Sequence, residues 1–286
     1  MTTLVLGGTG TVGSAVVQEL LKRGEPVRVA TRSEEKMKTL PQNVQGVVGD
    51  LIDPSTYGKM FSGVERLFLL NAVSLSETQE GLAALNEAKK AGVQRIVYLS
   101  IHNVETGPYI PHFANKLVGE QALKESRIPY TILRPNNFFQ NDYWFKDALL
   151  QYSVYPQPIG DIGISRVDIR DIAEVGAIAL TENGHEGNTY ALVGPMPING
   201  HAAAELWSTN LGKKINYAGN DLDAWEKEAL KMLPAWMVYD FRLMYALFQE
   251  KGLEATKKEV EEVERLLEHP PRSFASFVAE TAENWR

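Results

Sequence analysis

The sequence predicts an α/β fold, a doubly wound parallel sheet followed by a smaller, mainly helical C-terminal lobe. Three observations predict it. Short apolar runs reading LVL, VVG, LFLL and IVYL recur through the first half, as strands covered on both faces require. Segments of helical period lie between them, with apolar residues on one face. Beyond residue 135 this alternation loosens into a loop-rich stretch and then a helical region rich in Trp, Met, Phe and Tyr.

Taken in order, Leu4-Val5-Leu6 is a first strand that ends at Gly7. Thr11 to Arg23 is a helix carrying Val12, Val16, Val17, Leu20 and Leu21 on one face, and Gly24 stops it. Val27 to Thr31 is a strand, and Ser33 caps a helix that stops before Pro41. Gln45 to Val48 is a third strand, after which Asp53-Pro54 opens a helix with proline at its first position. Arg66 to Leu70 is a strand, Ser76 to Ala91 a helix closed by Gly92, and Arg95 to Leu99 a fifth strand. His112 to Ser126 is a helix, and Tyr130 to Leu133 is a sixth strand closed by Arg134-Pro135. Pro156, Pro158, Gly160 and Gly163 break up the next stretch. A helix over Asp168 to Leu180, a late strand over Asn188 to Leu192 and a helix over Ile198 to Leu211 follow, and the chain is mostly helical from Leu222. We expect a domain over residues 1–155 and a lobe over 156–286, with segments of the latter returning to the sheet. A ligand site in such a sheet lies at the carboxyl ends of the strands, near the switch in strand order.

Composition narrows the function. A net charge of −7 disfavours nucleic acid or an anionic membrane as partner, since both need basic surface. The absence of cysteine removes disulfides, thiolate nucleophiles and cysteine metal sites. No apolar stretch approaches the roughly 20 residues of a spanning helix, and MTTLVLGG has neither a basic start nor the apolar length of a signal peptide. The expectation is a cytoplasmic protein. Asp168 and Asp171 invite a metal reading, but no further ligand stands at suitable spacing; capping and orienting the helix that joins the lobes suits them better.

The stretch LVLGGTGTVGSAV puts glycines at 7, 10 and 13, directly after a strand and opening a helix. Gly7 permits the tight turn, Gly10 lets backbone approach a pyrophosphate, and Gly13 lets the helix pack close to the sheet. Backbone N–H groups over Thr9, Gly10, Thr11, Val12 and Gly13 then face the phosphates of a dinucleotide. An NAD site places an acid at the end of the second strand to accept from the ribose 2′-OH. Here that strand ends Thr31-Arg32-Ser33, with no acid. An arginine fork suits a 2′-phosphate, so NADP(H) is expected over NAD(H). The alternative for Arg32 is a solvated surface charge. Asp50 after the third strand is placed to accept from an adenine amino group, with Leu51 packing on the ring; a turn role is its alternative. Asn71 and Ala72, after the fourth strand, are expected beside the coenzyme ribose from topology alone.

The motifs GGTGTVG, TRS, GDLID, GVQRIVYLSI, IPYTILRPNNFFQN, VDIRDIAEVGAIAL, GNTYALVGP and PPRSFASFV together resemble the NmrA-like family of atypical short-chain dehydrogenase/reductases, along nearly the whole chain. The resemblance implies an NAD(P)-binding Rossmann domain and either of two activities. One is NADPH-dependent reduction of a small apolar carbonyl or quinone. The other is binding of NADP(H) as a redox sensor that acts through protein contacts. Catalytic short-chain enzymes carry Tyr-x-x-x-Lys on the helix after the fifth strand, with Ser or Thr just after that strand. Here the matching helix carries His112 and Lys116, and the preceding segment reads Ser100-Ile101-His102-Asn103. The tyrosine is therefore replaced by histidine, and the serine position falls closest to His102. Residues i and i+4 share a helix face, so His112 and Lys116 can serve one site.

Lys116 is implied to hold the nicotinamide ribose. His112 or His102 is the candidate proton donor, against the alternative of a polar residue at the helix surface, and Tyr109 is a spare candidate. Ser100, Pro135, Asn137 and Phe138 are expected at the nicotinamide end, where Phe138 or Phe139 offers a flat wall if it is not simply core. The aromatic stretch Trp225 to Phe248 either roofs a pocket for an aromatic substrate or forms a seam between helices or subunits. A homodimer or a protein partner fits the latter. The charged helix KKEVEEVERLLEH needs only solvent to explain its charges.

Overall fold

A computed structural model describes all 286 residues. Its main sheet has seven parallel strands in the order β3-β2-β1-β4-β5-β6-β8. These are β1 (Thr2–Val5), β2 (Val27–Thr31), β3 (Val44–Val48), β4 (Val64–Leu69), β5 (Arg95–Leu99), β6 (Tyr130–Pro135) and β8 (Thr189–Leu192), while β7 (Val154–Tyr155) stands apart. The helices of this part are α1 (Thr11–Lys22), α2 (Glu34–Lys38), α3 (Tyr57–Phe61), α4 (Glu77–Ala91) and α5 (Pro111–Ser126). They are followed by α6 (Lys146–Leu150) and α7 (Ile169–Thr181). The strand order reverses at β1, which pairs with β2 on one side and β4 on the other. The loop after β1 thus emerges at the switch point.

The strands form because their residues are apolar on both faces. Leu4, Leu6, Leu67, Leu69, Ile96 and Ile132 pack with Ala84, Leu85, Ala88 and Leu123 of the covering helices. The intervening Val5, Phe68, Val97 and Leu133 are equally buried, so the opposite face is covered too. On that face α1 packs along α7, and a side chain at Gly176 of α7 would meet the Phe68 ring at 2.9 Å.

The chain forms two compact units that interleave in sequence. One comprises residues 1–108, 112–135 and 169–191, and the other 109–111, 136–168 and 192–286. The expected division is 1–155 and 156–286, with segments of the latter returning to the sheet; the chain changes unit near 108–112, 135, 168 and 191. The second unit contains α6, β7 paired with β9 (Asn216–Tyr217), and α8 (Gly200–Leu211). It continues through α9 (Leu222–Ala229), α10 (Ala235–Lys251), α11 (Lys257–Leu267) and α12 (Phe274–Asn284). At its centre Arg166, with no exposed surface, meets Asp142 at 2.7 Å, and Asp142 also accepts from Trp207 Nε1 at 2.9 Å.

Several expectations shift. The helix expected from Ile198 begins at Gly200, because the Asn199 side chain accepts from the Ala202 amide and caps it there; Ile198 instead bridges to Ile164. Asp53-Pro54 opens a 3-10 turn over Pro54–Thr56 before α3, rather than one continuous helix. The 3-10 turn over Phe139–Phe145, α6 and the β7–β9 pair were not foreseen. Trp225 packs edge-on against the buried Tyr245, as a seam between helices does, while Tyr239 is exposed. α11 carries a capping box between Thr256 and Glu259 and buries only Val263 and Leu267. No helix is long and apolar enough to cross a membrane.

Candidate functional site

The turn after β1 is shaped by what its glycines lack. Gly7 adopts φ +69°, a conformation that disfavours side chains, and a β-carbon there would sit 3.0 Å from Leu70 Cδ2. The Gly10 amide donates to the Gly7 carbonyl at 2.9 Å. A β-carbon on Gly13 would overlap that same carbonyl oxygen, so α1 can approach the loop only with glycine there. Gly8 was not singled out by the sequence reading. Its β-carbon would lie 2.8 Å from both Val29 methyls, a constraint the pattern of a GG pair does not reveal. The first bond of α1 runs from Ser14 N–H to Gly10 O, no side chain caps the helix, and its first turn holds no acid. The amides of Thr11, Val12 and Gly13 therefore end the helix as an uncapped set of donors beside Thr9 and Gly10.

Arg32 follows directly on β2, is exposed and forms no ion pair. Beside it, buried Thr31 accepts from the Ser33 amide at 3.3 Å, and Ser33 caps α2 by accepting from Lys36 N. After β3, Asp50 Oδ1 accepts from Ile52 N at 3.0 Å, which is the turn role weighed against adenine contact. Leu51 is buried, and its carbonyl accepts from Tyr57 at 2.7 Å.

Lys116 is buried on α5 and forms an ion pair of 2.8 Å with Glu77 Oε1, itself buried at the first residue of α4. Its ammonium also reaches the Asn71 carbonyl at 3.4 Å and lies 5.5 Å from the centre of the Tyr98 ring. Asn115 Nδ2 approaches Glu77 Oε2 at 3.5 Å, and Asn115 in turn accepts from Thr78 at 2.7 Å. Burial, with the charges of Glu77 and Glu120 nearby, holds the Tyr98 phenol far above its ordinary pKa, so it stays neutral. Asn71 is buried with its Nδ2 unpartnered, and Ala72 beside it is exposed. Since Leu70 touches Gly7, Lys116 and the glycine loop converge on the same end of β4. Glu77 escaped the sequence reading because an acid at a helix start is ordinary.

His112 and His102 are both buried, so neither is the surface residue weighed as the alternative. His112 stands edge-on to Phe113 at 4.8 Å, and the His102 amide donates to Pro135 O at 2.9 Å. Ser100 donates to Glu120 at 2.6 Å. Arg134 donates to the same carboxylate from Nε at 2.8 Å and Nη2 at 2.7 Å. Burial raises the Glu120 pKa, but the bonds from Arg134 and Ser100 outweigh it and hold the carboxyl below its ordinary range. His112, Lys116 and Glu120 thus form a buried row at i, i+4 and i+8 of α5.

Asn137 and Phe138 belong to the second unit, where Asn137 Oδ1 accepts from Arg166 Nε at 3.0 Å and the Phe138 carbonyl accepts from Arg166 Nη2 at 2.6 Å. Phe139 is core, packed on Phe274 and Phe277, and Tyr109 is exposed. Asp168 is buried and accepts from Gln140 at 2.9 Å. No cluster of three or more His, Cys, Asp or Glu side chains suits a metal ion.

A cradle that a β-carbon would fill, an uncapped helix start and an orphaned buried amide on Asn71 at the same sheet end fit a dinucleotide. Comparison with known proteins agrees with this geometry. The chain is 30% identical over 278 residues to an NAD(P)H azoreductase of Xenophilus azovorans, covering 96% of both chains. It is 32% identical over 282 residues, 98% of both chains, to a (4-alkanoyl-5-oxo-2,5-dihydrofuran-3-yl)methyl phosphate reductase of Streptomyces griseus subsp. griseus. Among solved structures, an NADPH-dependent quinone oxidoreductase from Escherichia coli complexed with NADPH superposes with a TM-score of 0.87. It is 24% identical, with 98% of this chain and 99% of that one covered. The model of the NmrA-like family matches residues 1–278, so the chain belongs to that family and has the NAD(P)-binding fold of the atypical short-chain dehydrogenase/reductases.

Proposed function

We propose that this protein is an NADPH-dependent oxidoreductase that reduces a small apolar carbonyl or quinone. The observation that carries the reading is a buried lysine, on the helix after the fifth strand, meeting the same strand end as an uncapped glycine-loop helix. The reductase relatives, which the chain matches over nearly its whole length, support it.

Bound NADPH supplies the hydride. The amides of Thr9, Thr11, Val12 and Gly13 would hold the diphosphate, and Arg32 would take the 2′-phosphate, where a carboxylate would repel it. Leu51 would pack on the adenine, and Asn71 and Lys116 would hold the nicotinamide ribose. Lys116 would donate to ribose hydroxyls while its charge is matched by Glu77. Hydride transfer builds negative charge on the acceptor, which needs a proton or a fixed donor. His112 or His102 supplies that donor through a ring N–H. A quinone asks less of either, because its reduced oxygens are stable anions that water can protonate. The missing tyrosine is therefore less costly for a quinone than for a simple ketone.

The test is oxidation of NADPH by the pure protein, followed by absorbance with a panel of quinones, azo compounds and aldehydes. Turnover with quinones, lost in Lys116→Ala, is expected. Tight NADPH binding without turnover on any acceptor would instead mark a coenzyme-sensing protein, and no binding of either dinucleotide would overturn both readings.

A further inference from the structure

Lys116 enters its site already paired. Its partner Glu77 stands on a different helix, 39 positions earlier in the chain, and meets it at 2.8 Å with both side chains buried. Two features fix the carboxylate. It occupies the first turn of α4, where the helix amides favour a negative charge. Its second oxygen faces Asn115, the residue beside Lys116, and Thr78 donates to Asn115 in turn. The start of α4 and one turn of α5 are thereby tied together by side chains that the glycine loop does not use. The ammonium's other neighbours include the Asn71 carbonyl and the Tyr98 ring.

We propose that Glu77 is a positioning residue for the coenzyme: its ion pair holds the Lys116 ammonium at the end of β4, from where it can donate to the nicotinamide ribose. This rests on the reductase reading of the same site. An unpaired lysine has several rotatable bonds and a strongly hydrated head, and would spread over many rotamers. The buried 2.8 Å ion pair with Glu77 narrows the positions open to the ammonium, so less ordering remains to be done when the coenzyme binds. The pairing also makes the site neutral at this point. Lys116 then contributes a directed donor rather than a free positive charge, and removing Glu77 disturbs geometry and charge together.

The experiment compares wild type, Glu77→Gln, Glu77→Asp, Lys116→Met and the double variant Glu77→Gln/Lys116→Met. Each is measured for NADPH affinity by calorimetry, for KM of NADPH and of a quinone acceptor, and for thermal midpoint. The proposal expects Glu77→Gln to weaken NADPH on the order of tenfold and to raise its KM, with the acceptor KM unchanged. Glu77→Asp, which keeps the charge one methylene short, recovers part of the loss. Added to Lys116→Met, Glu77→Gln changes NADPH affinity no further. If Lys116→Met leaves a buried carboxylate that prevents folding, the double variant, which carries no charge, supplies the comparison with Glu77→Gln: equal NADPH affinities support the proposal. A folded Glu77→Gln protein that binds NADPH as wild type does, or losses that simply add in the double variant, overturns it. Failure of wild type to bind NADPH at all overturns the reductase reading first and this proposal with it.

Discussion

At the scale of single residues, Arg32 and Glu120 each give a prediction that turns on charge. Arg32 is exposed, unpaired and placed just after β2, so its guanidinium is available to a phosphate rather than committed to a carboxylate. Arg32→Asp is expected to weaken NADPH binding by at least about tenfold, the scale of one lost charge-assisted contact, while changing NADH little. Calorimetric titration with both coenzymes reads this directly, and equal losses would remove the phosphate contact from the account. Glu120 gives a pH prediction. Its carboxyl is held below its ordinary value by Arg134 and Ser100 against the opposing effect of burial. A depressed folded pKa gives stability that is complete above the unfolded value of about 4.3 and is lost as pH falls through the folded value. Thermal midpoints of wild type should therefore fall on acidification below about pH 4, and Glu120→Gln should be less stable at pH 7 with a flatter acid limb.

At the scale of elements, the β1–α1 turn depends on close backbone approach. A methyl at Gly13 would drive into the Gly7 carbonyl, so either the loop or α1 must move by about 1 Å. Gly13→Ala should fold, since the strand and helix remain, but lose most NADPH affinity; near-ultraviolet dichroism and a binding titration separate the two effects. Capping at α2 is the milder case. The Ser33 side chain satisfies the Lys36 amide, and Ser33→Ala should cost about 1 kcal/mol by denaturant titration. These two elements were legible in sequence because their signals are local. A glycine spaced by three and a serine before a charged helix carry their geometry with them. The helix expected at Ile198 was not legible to the residue, because Asn199 only becomes the cap once Ile198 is drawn into its bridge with Ile164.

At the scale of the whole molecule, each unit has its own buried centre. In the second unit Arg166 and Asp142 are wholly buried, and Asp142 is also held by Trp207 while Arg166 donates to the Phe138 carbonyl. Their desolvation makes the pair weak evidence of net stability, but breaking it leaves one charge alone in the interior. Arg166→Met should cost about 3–5 kcal/mol, seen as a lowered thermal midpoint, while Arg166→Met/Asp142→Asn recovers part of the loss. An Arg166→Met protein as stable as wild type would show that the pair carries no structural weight.

The sequence by itself determined the class of sheet, the places of its first six strands along the chain, the glycine turn, the missing acid after β2 and the lysine on α5. Apolar periodicity, turn glycines and local charge state these without reference to distant parts of the chain. Only the tertiary structure decided who meets whom. It set Glu77 against Lys116, Glu120 between Ser100 and Arg134, Gly8 beneath Val29, and both candidate histidines in the interior. The physical reason is that a buried charge must find its partner in space. A carboxylate at a helix start reads the same in sequence whether water or a lysine 39 residues away neutralises it.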